Sequence, residues 1–175
     1  MKFVKIFGKN FLILIVSVLF TAIFATLFQT QKVIAALIEI GTSVSFPDRV
    51  SMSFYDLSHL GITYGVLILL AFLAAFLVAG TLYKFIKFGR LLIYSVAGGT
   101  AIFVMLLLMK NAFFDVPIIA GARDSFGLAL QTLAGIFGGF IFAVLTAKTP
   151  PTNKVLSIHT IKEIRIAFTV FKFGE

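Results

Sequence analysis

Cysteine is absent from the 175-residue chain, which excludes a disulfide framework, a thiolate metal site and a cysteine nucleophile. Tryptophan is absent too, so any aromatic belt at a membrane surface falls to other rings, and Tyr55, Tyr64, Tyr83 and Tyr94 do lie near the ends of apolar runs. Charge is scarce at 13%. The chain also has no nucleophile elbow, zinc-binding helix motif, phosphate-binding glycine loop or paired intramembrane aspartate.

Apolar surface dominates instead. The chain is 60% hydrophobic with 22 Phe and a mean hydropathy of +1.09, too apolar for a soluble domain of this size. Residues 11–28, 61–83, 91–109 and 126–147 each approach or exceed the roughly 20 apolar residues needed to cross a hydrocarbon core of about 30 Å. None carries an acid, a base or a histidine in its interior, so each can enter lipid without a buried charge. Membrane β-strands would alternate polar and apolar residues over about 10 positions, and these runs do not. The expected fold is all-α, with four transmembrane helices in an antiparallel bundle spanning residues 1–147 and a cytoplasmic amphipathic tail at 148–175. Lys2, Lys5 and Lys9 before the first run resemble a signal peptide. The run exceeds the roughly 7 to 15 residues of such a segment, which favours an uncleaved helix.

Basic residues orient these spans. Lys2, Lys5 and Lys9, then Lys84, Lys87 and Arg90, then the tail's Lys148, Lys154, Lys162, Arg165 and Lys172 fall on one side. The acids Glu39, Asp48, Asp56, Asp115 and Asp124 fall on the other, with the remaining basic residues Lys32, Arg49, Lys110 and Arg123. The positive-inside rule then puts both termini in the cytoplasm of a bacterial inner-membrane protein. The net charge of +8 is thereby a cationic membrane rim facing the lipid bilayer, and no nucleic acid partner is expected.

Between spans one and two, QKVIAALIEIG has Val33, Ile34, Leu37 and Ile38 at helical spacing. An external interfacial helix satisfies that pattern, as does continuation of the first span past Gln29. SVSFPDRVSMSFYD then reads as a turn, with a cap at Asp56 or Ser58 before span two. In the tail, Thr160 and Glu163 have capping-box spacing, and Ile161, Ile164, Phe168 and Phe171 recur at helical intervals. A strand is the competing reading, since IRIAFTVF alternates with period two.

Chemistry has few places to reside. In span four, Gly127, Gln131, Gly135, Gly139 and Ala143 stand four apart and form one helix face, and Gly61 and Gly65 make a similar pair in span two. Small residues at this spacing admit a close helix neighbour, and the Gln131 amide, about 10 Å along the axis from Asp124, can add an interhelical hydrogen bond. An external polar cluster of Asp56, His59, Asp115, Arg123 and Asp124 is the one place where a metal or catalytic group could assemble, and it is a weak pattern. In AGARDSFG, Asp124 or Ser125 reads as the cap of span four, with Arg123 beside it for a headgroup phosphate or Asp115.

No cofactor, metal or catalytic residue is expected. The sequence reads as a non-catalytic accessory, assembly or scaffold subunit that contacts another membrane protein, or itself, through its glycine-rich helix faces. The second reading is a small oligomeric transporter or channel lined by Gln131, and the third a membrane enzyme using the external cluster.

Overall fold

The computed structural model describes residues 2–87, 89–112 and 119–147, with side chains described from Gly8 onward. The tail reading and Asp115 lie outside these residues. All described elements are helical: α1 (Lys2–Glu39), α2 (Phe46–Ile86), α3 (Arg90–Ala112), the short 3₁₀ turn Ala120–Ala122, and α4 (Ser125–Thr146). Four helices are long and apolar enough to cross a membrane, which makes the chain a multi-pass membrane protein by length and composition.

Two boundaries differ from the sequence expectation. The first run continues through Gln29, Thr30 and Gln31 as one 38-residue helix, so QKVIAALIEIG is the end of α1 and not a separate helix. The polar residues that looked like a stop have partners: Gln29 and Thr30 are buried, where Gln29 Oε1 accepts from Gly121 N at 3.1 Å. The second helix starts fifteen residues earlier than its apolar run, at Phe46. Ser45 caps it through a box with Asp48, and a proline sits in the first turn. Proline there lacks an N–H that would be unbonded anyway, so it starts the helix. The cap at Asp56 or Ser58 is therefore incorrect; the Ser58 hydroxyl bonds Phe54 O and Tyr55 O within α2.

Side-chain size explains the packing. Gly98 of α3 faces Gly135 and Gly139 of α4, and a Cβ built on Gly135 would stand 2.5 Å from both Gly98 O and Ile102 Cγ1. The α3 and α4 backbones thus touch, as only glycines allow. Lower on α4, aromatic rings join three helices: Phe76 of α2 lies 5.6 Å from Tyr94 of α3 and 4.5 Å from Phe142 of α4. Ile68, Phe72 and Ile102 are fully enclosed between these layers.

The helices differ in length with a consequence. At about 1.5 Å per residue α3 and α4 match one crossing of roughly 30 Å, whereas α1 and α2 approach twice that. Lys32 of α1 is level with Asp124, the first residue before α4, and Thr30 of α1 is level with Asp56 of α2. The ends of α1 and α2 joined by residues 40–45 therefore project about 10 to 15 Å past the start of α4.

Candidate functional site

Polar groups in an apolar chain must find partners inside it, and here they converge on one seam. Ser17, Thr21, Thr26 and Thr30 of α1 are fully buried. The Ser17 and Thr21 hydroxyls donate one turn back, to Ile13 O at 3.0 Å and Ser17 O at 2.8 Å. Such bonds satisfy a hydroxyl locally and carry no functional information by themselves.

Gln131 carries more. It is 1% exposed, as is Tyr64 of α2. The Tyr64 hydroxyl donates to Gln131 Oε1 at 3.0 Å, and Gln131 Nε2 donates to Ala25 O of α1 at 3.0 Å. One amide thus ties α4 to both α1 and α2. One turn above this level Gly127 of α4 lies against Gly121 O of the 3₁₀ turn, and Gly121 in turn lies against Gln29 of α1.

The stripe Gly127, Gln131, Gly135, Gly139 and Ala143 is buried throughout, with Ala134 and Gly138 beside it. Its neighbours belong to the same chain. Gly135 and Gly139 meet α3, while Gly138 meets Thr21 of α1 and the Phe72 ring of α2, whose Cε2 would be 2.9 Å from an added Cβ. Gly61 is also buried, close to Thr26 Oγ1, whereas Gly65 has room, with the Ala22 methyl 3.7 Å from an added Cβ.

Where the seam reaches the α1–α2 projection it becomes charged. Thr30 Oγ1 lies 2.8 Å from Asp56 Oδ2 and 3.0 Å from Thr26 O; one proton serves two acceptors, and the carboxylate is the stronger. Thr26 Oγ1, one turn deeper, is enclosed and has no hydrogen-bond partner among the described residues. Asp124 caps α4 by accepting from Gly127 N at 2.9 Å and pairs with Lys32 Nζ at 2.7 Å. The sequence suggested the cap; the Lys32 partner, 92 positions away, left no local trace.

Of the polar cluster read from the sequence, Asp115 lies outside the described residues, and the other four do not converge on a common site. Asp56 is held by Thr30. His59 stacks on Tyr55 at 4.2 Å and bonds Tyr55 O of its own helix at 3.0 Å. Asp124 is taken by Lys32 and Gly127. Arg123 is exposed and lines a shallow pocket of about 160 Å³ with Lys110, Asp124 and Ser125. Among the described residues no three His, Asp or Glu side chains converge on a metal-sized site.

The hydrogen bond from Lys32, reinforced by the Gly127 N–H, holds the Asp124 carboxyl below its ordinary value of 3.8. A carboxyl lowered by folding adds stability that is complete above 3.8 and is lost as the pH falls through the lowered value. Acid unfolding of the wild type followed by circular dichroism should therefore lose part of its pH dependence in Asp124→Asn. Identical acid curves for the two proteins would contradict the ion pair.

No family model, no curated protein and no solved structure matches this chain.

Proposed function

We propose that the chain is an accessory or scaffold subunit of a bacterial cytoplasmic membrane, an antiparallel four-helix bundle with both termini inside, that docks another membrane protein. The observation carrying this reading is the α1–α2 projection. Past the level of Lys32 and Asp56 it presents Ile40 and Phe46, each 78% exposed, with Phe54 at 70% and Tyr55 at 64%. Exposed apolar residues on a lipid-facing wall are ordinary. On a structure that continues past the crossing length they form a contact surface for a protein. Asp48 and Arg49 alternate with them, as at the rim of an interface.

This relocates the docking face. The glycine stripe of α4 is filled by α1, α2 and α3, so its close packing serves the fold, and the partner surface lies on the projection instead. The buried column of α1 hydroxyls, in which Thr26 Oγ1 has no partner among the described residues, is the observation that favours the second reading, a small-solute pathway. Against it, the Gln131 amide is engaged at both ends by Tyr64 and Ala25, and α4 packs directly on the column where Gly138 meets Thr21.

A photocrosslinker at Phe54, with a control at the lipid-facing Leu77, tests the proposal in intact membranes. The expected result is one discrete adduct to another membrane protein from position 54 only, lost in Phe46→Asp with the melting temperature unchanged. An adduct to a second copy would revise the partner to itself. A monomer without adducts, in a protein that passes solute across liposomes, would replace this reading with the second.

A further inference from the structure

A second surface is built differently. Between α2 and α3 runs an apolar groove of about 930 Å³. Small side chains form its floor, with Ala79 and Ala101 buried, while Val78 and Val96 stand exposed as its walls. It reaches Leu82 on α2 and Leu92 on α3, and the helices are then joined through residues 87–89.

The residues lining the groove are uncharged, and cations stand just past that end. Lys87, the cap that follows α2, is five residues from Leu82, about 7 Å along that helix, and Lys84 on α2 and Arg90 at the start of α3 flank it in the chain. Arg90 is held in place by the Tyr83 and Tyr94 rings, 5.9 and 5.6 Å from its guanidinium carbon, and it reaches Thr146 of α4. Among the described residues its enclosed Nε has no acceptor. Among the described residues no acid offsets these charges: residues 57–112 contain neither Asp nor Glu. Among the described residues Glu39, Asp48, Asp56 and Asp124 all belong to the opposite end, where α1 meets the start of α4.

We propose that the α2–α3 groove binds one anionic diacyl phospholipid, its acyl chains along the alanine floor and its phosphate against Lys87, Lys84 and Arg90. An apolar channel that ends beside cations opposed by no described acid, between two membrane helices, has the polarity of such a lipid from tail to head. A partner helix would fill the apolar part and leave the cations without counter-charge. The inference uses the membrane location of the helices and is independent of the docking partner at the projection.

The test is native mass spectrometry of the full chain, delipidated in detergent and titrated with dioleoyl phosphatidylglycerol or dioleoyl phosphatidylcholine. One phosphatidylglycerol should be retained, at least about tenfold more tightly than phosphatidylcholine. The double variant Lys84→Gln, Lys87→Gln, at exposed positions, should lose that preference while its melting temperature holds. Thr100→Phe, at an exposed threonine lining the groove, should remove the retained lipid of either kind. Equal affinity for the two lipids, a preference that survives the double lysine variant, or a retained lipid in Thr100→Phe would each overturn the proposal. So would occupation of the groove by another protein's helix in membranes.

Discussion

Gly139→Leu should destabilise the protein by about 3 kcal/mol or more, whereas Gly65→Ala should leave it unchanged or slightly more stable. Sequence spacing treats these two glycines alike, as members of small-residue stripes. Their surroundings differ. A Cβ on Gly139 would run into the Tyr94 carbonyl oxygen and stand 2.8 Å from Tyr94 C and 3.0 Å from Ser95 Cα. These are backbone atoms of α3, so no rotamer change relieves the clash, and α4 must move away as a whole. Doing so would also open the Gly98–Gly135 contact next to it and strip packing from Ile102, which is fully buried. At Gly65 the nearest atom to an added Cβ is the Ala22 methyl at 3.7 Å, an ordinary contact. Alanine there also gains up to about 1 kcal/mol in helix propensity. Thermal unfolding in mild detergent, followed by far-ultraviolet circular dichroism, separates the two cases. A Gly139→Leu melting temperature within about 2 °C of wild type would show that α3 and α4 do not meet through their backbones.

The same glycines mark what was legible in the sequence. Spacing four apart placed Gly127, Gln131, Gly135, Gly139 and Ala143 on one side of a helix, and those residues are all buried in α4. Spacing along one helix carries no information about which neighbour covers that side. Here three helices of the same chain share it. The apolar runs likewise located the four candidate membrane helices, because lipid demands continuous apolar length. They missed the projecting ends of α1 and α2, where the sequence turns more polar and continuous apolar length is no longer the signal. Pro47 looked like a turn and stands in the first turn of α2; Gln29 and Thr30 looked like a helix end and are buried partners of Gly121 and Asp56. Proline is equally at home in the first turn of a helix, and the partners of Gln29 and Thr30 lie in distant parts of the chain.

Gln131→Leu should cost about 1 to 3 kcal/mol, the range for leaving a buried polar group without its bond. The substitution keeps the volume roughly constant and removes both ends of the amide. Tyr64 OH is then enclosed without an acceptor, while Ala25 O loses only a supplementary donor to its helix. The damage therefore falls mainly on Tyr64, and removing that hydroxyl as well should return part of the loss. Tyr64→Phe alone should be milder, since Gln131 keeps its bond to Ala25. The double variant Tyr64→Phe, Gln131→Leu should be more stable than the sum of the single losses allows, with a coupling of about 0.6 to 1.7 kcal/mol as found for bonds between membrane helices. Strict additivity in a four-protein unfolding cycle would mean that the 3.0 Å contact between Tyr64 and Gln131 contributes nothing. The same four proteins discriminate function. If Gln131 lined a solute pathway, leucine there would change flux through liposomes in proportion to lost polarity, and Tyr64→Phe would not restore it. As a clamp between α1, α2 and α4, Gln131→Leu alters unfolding, the second substitution partly repairs it, and the crosslink from Phe54 persists for as long as the helices stay folded.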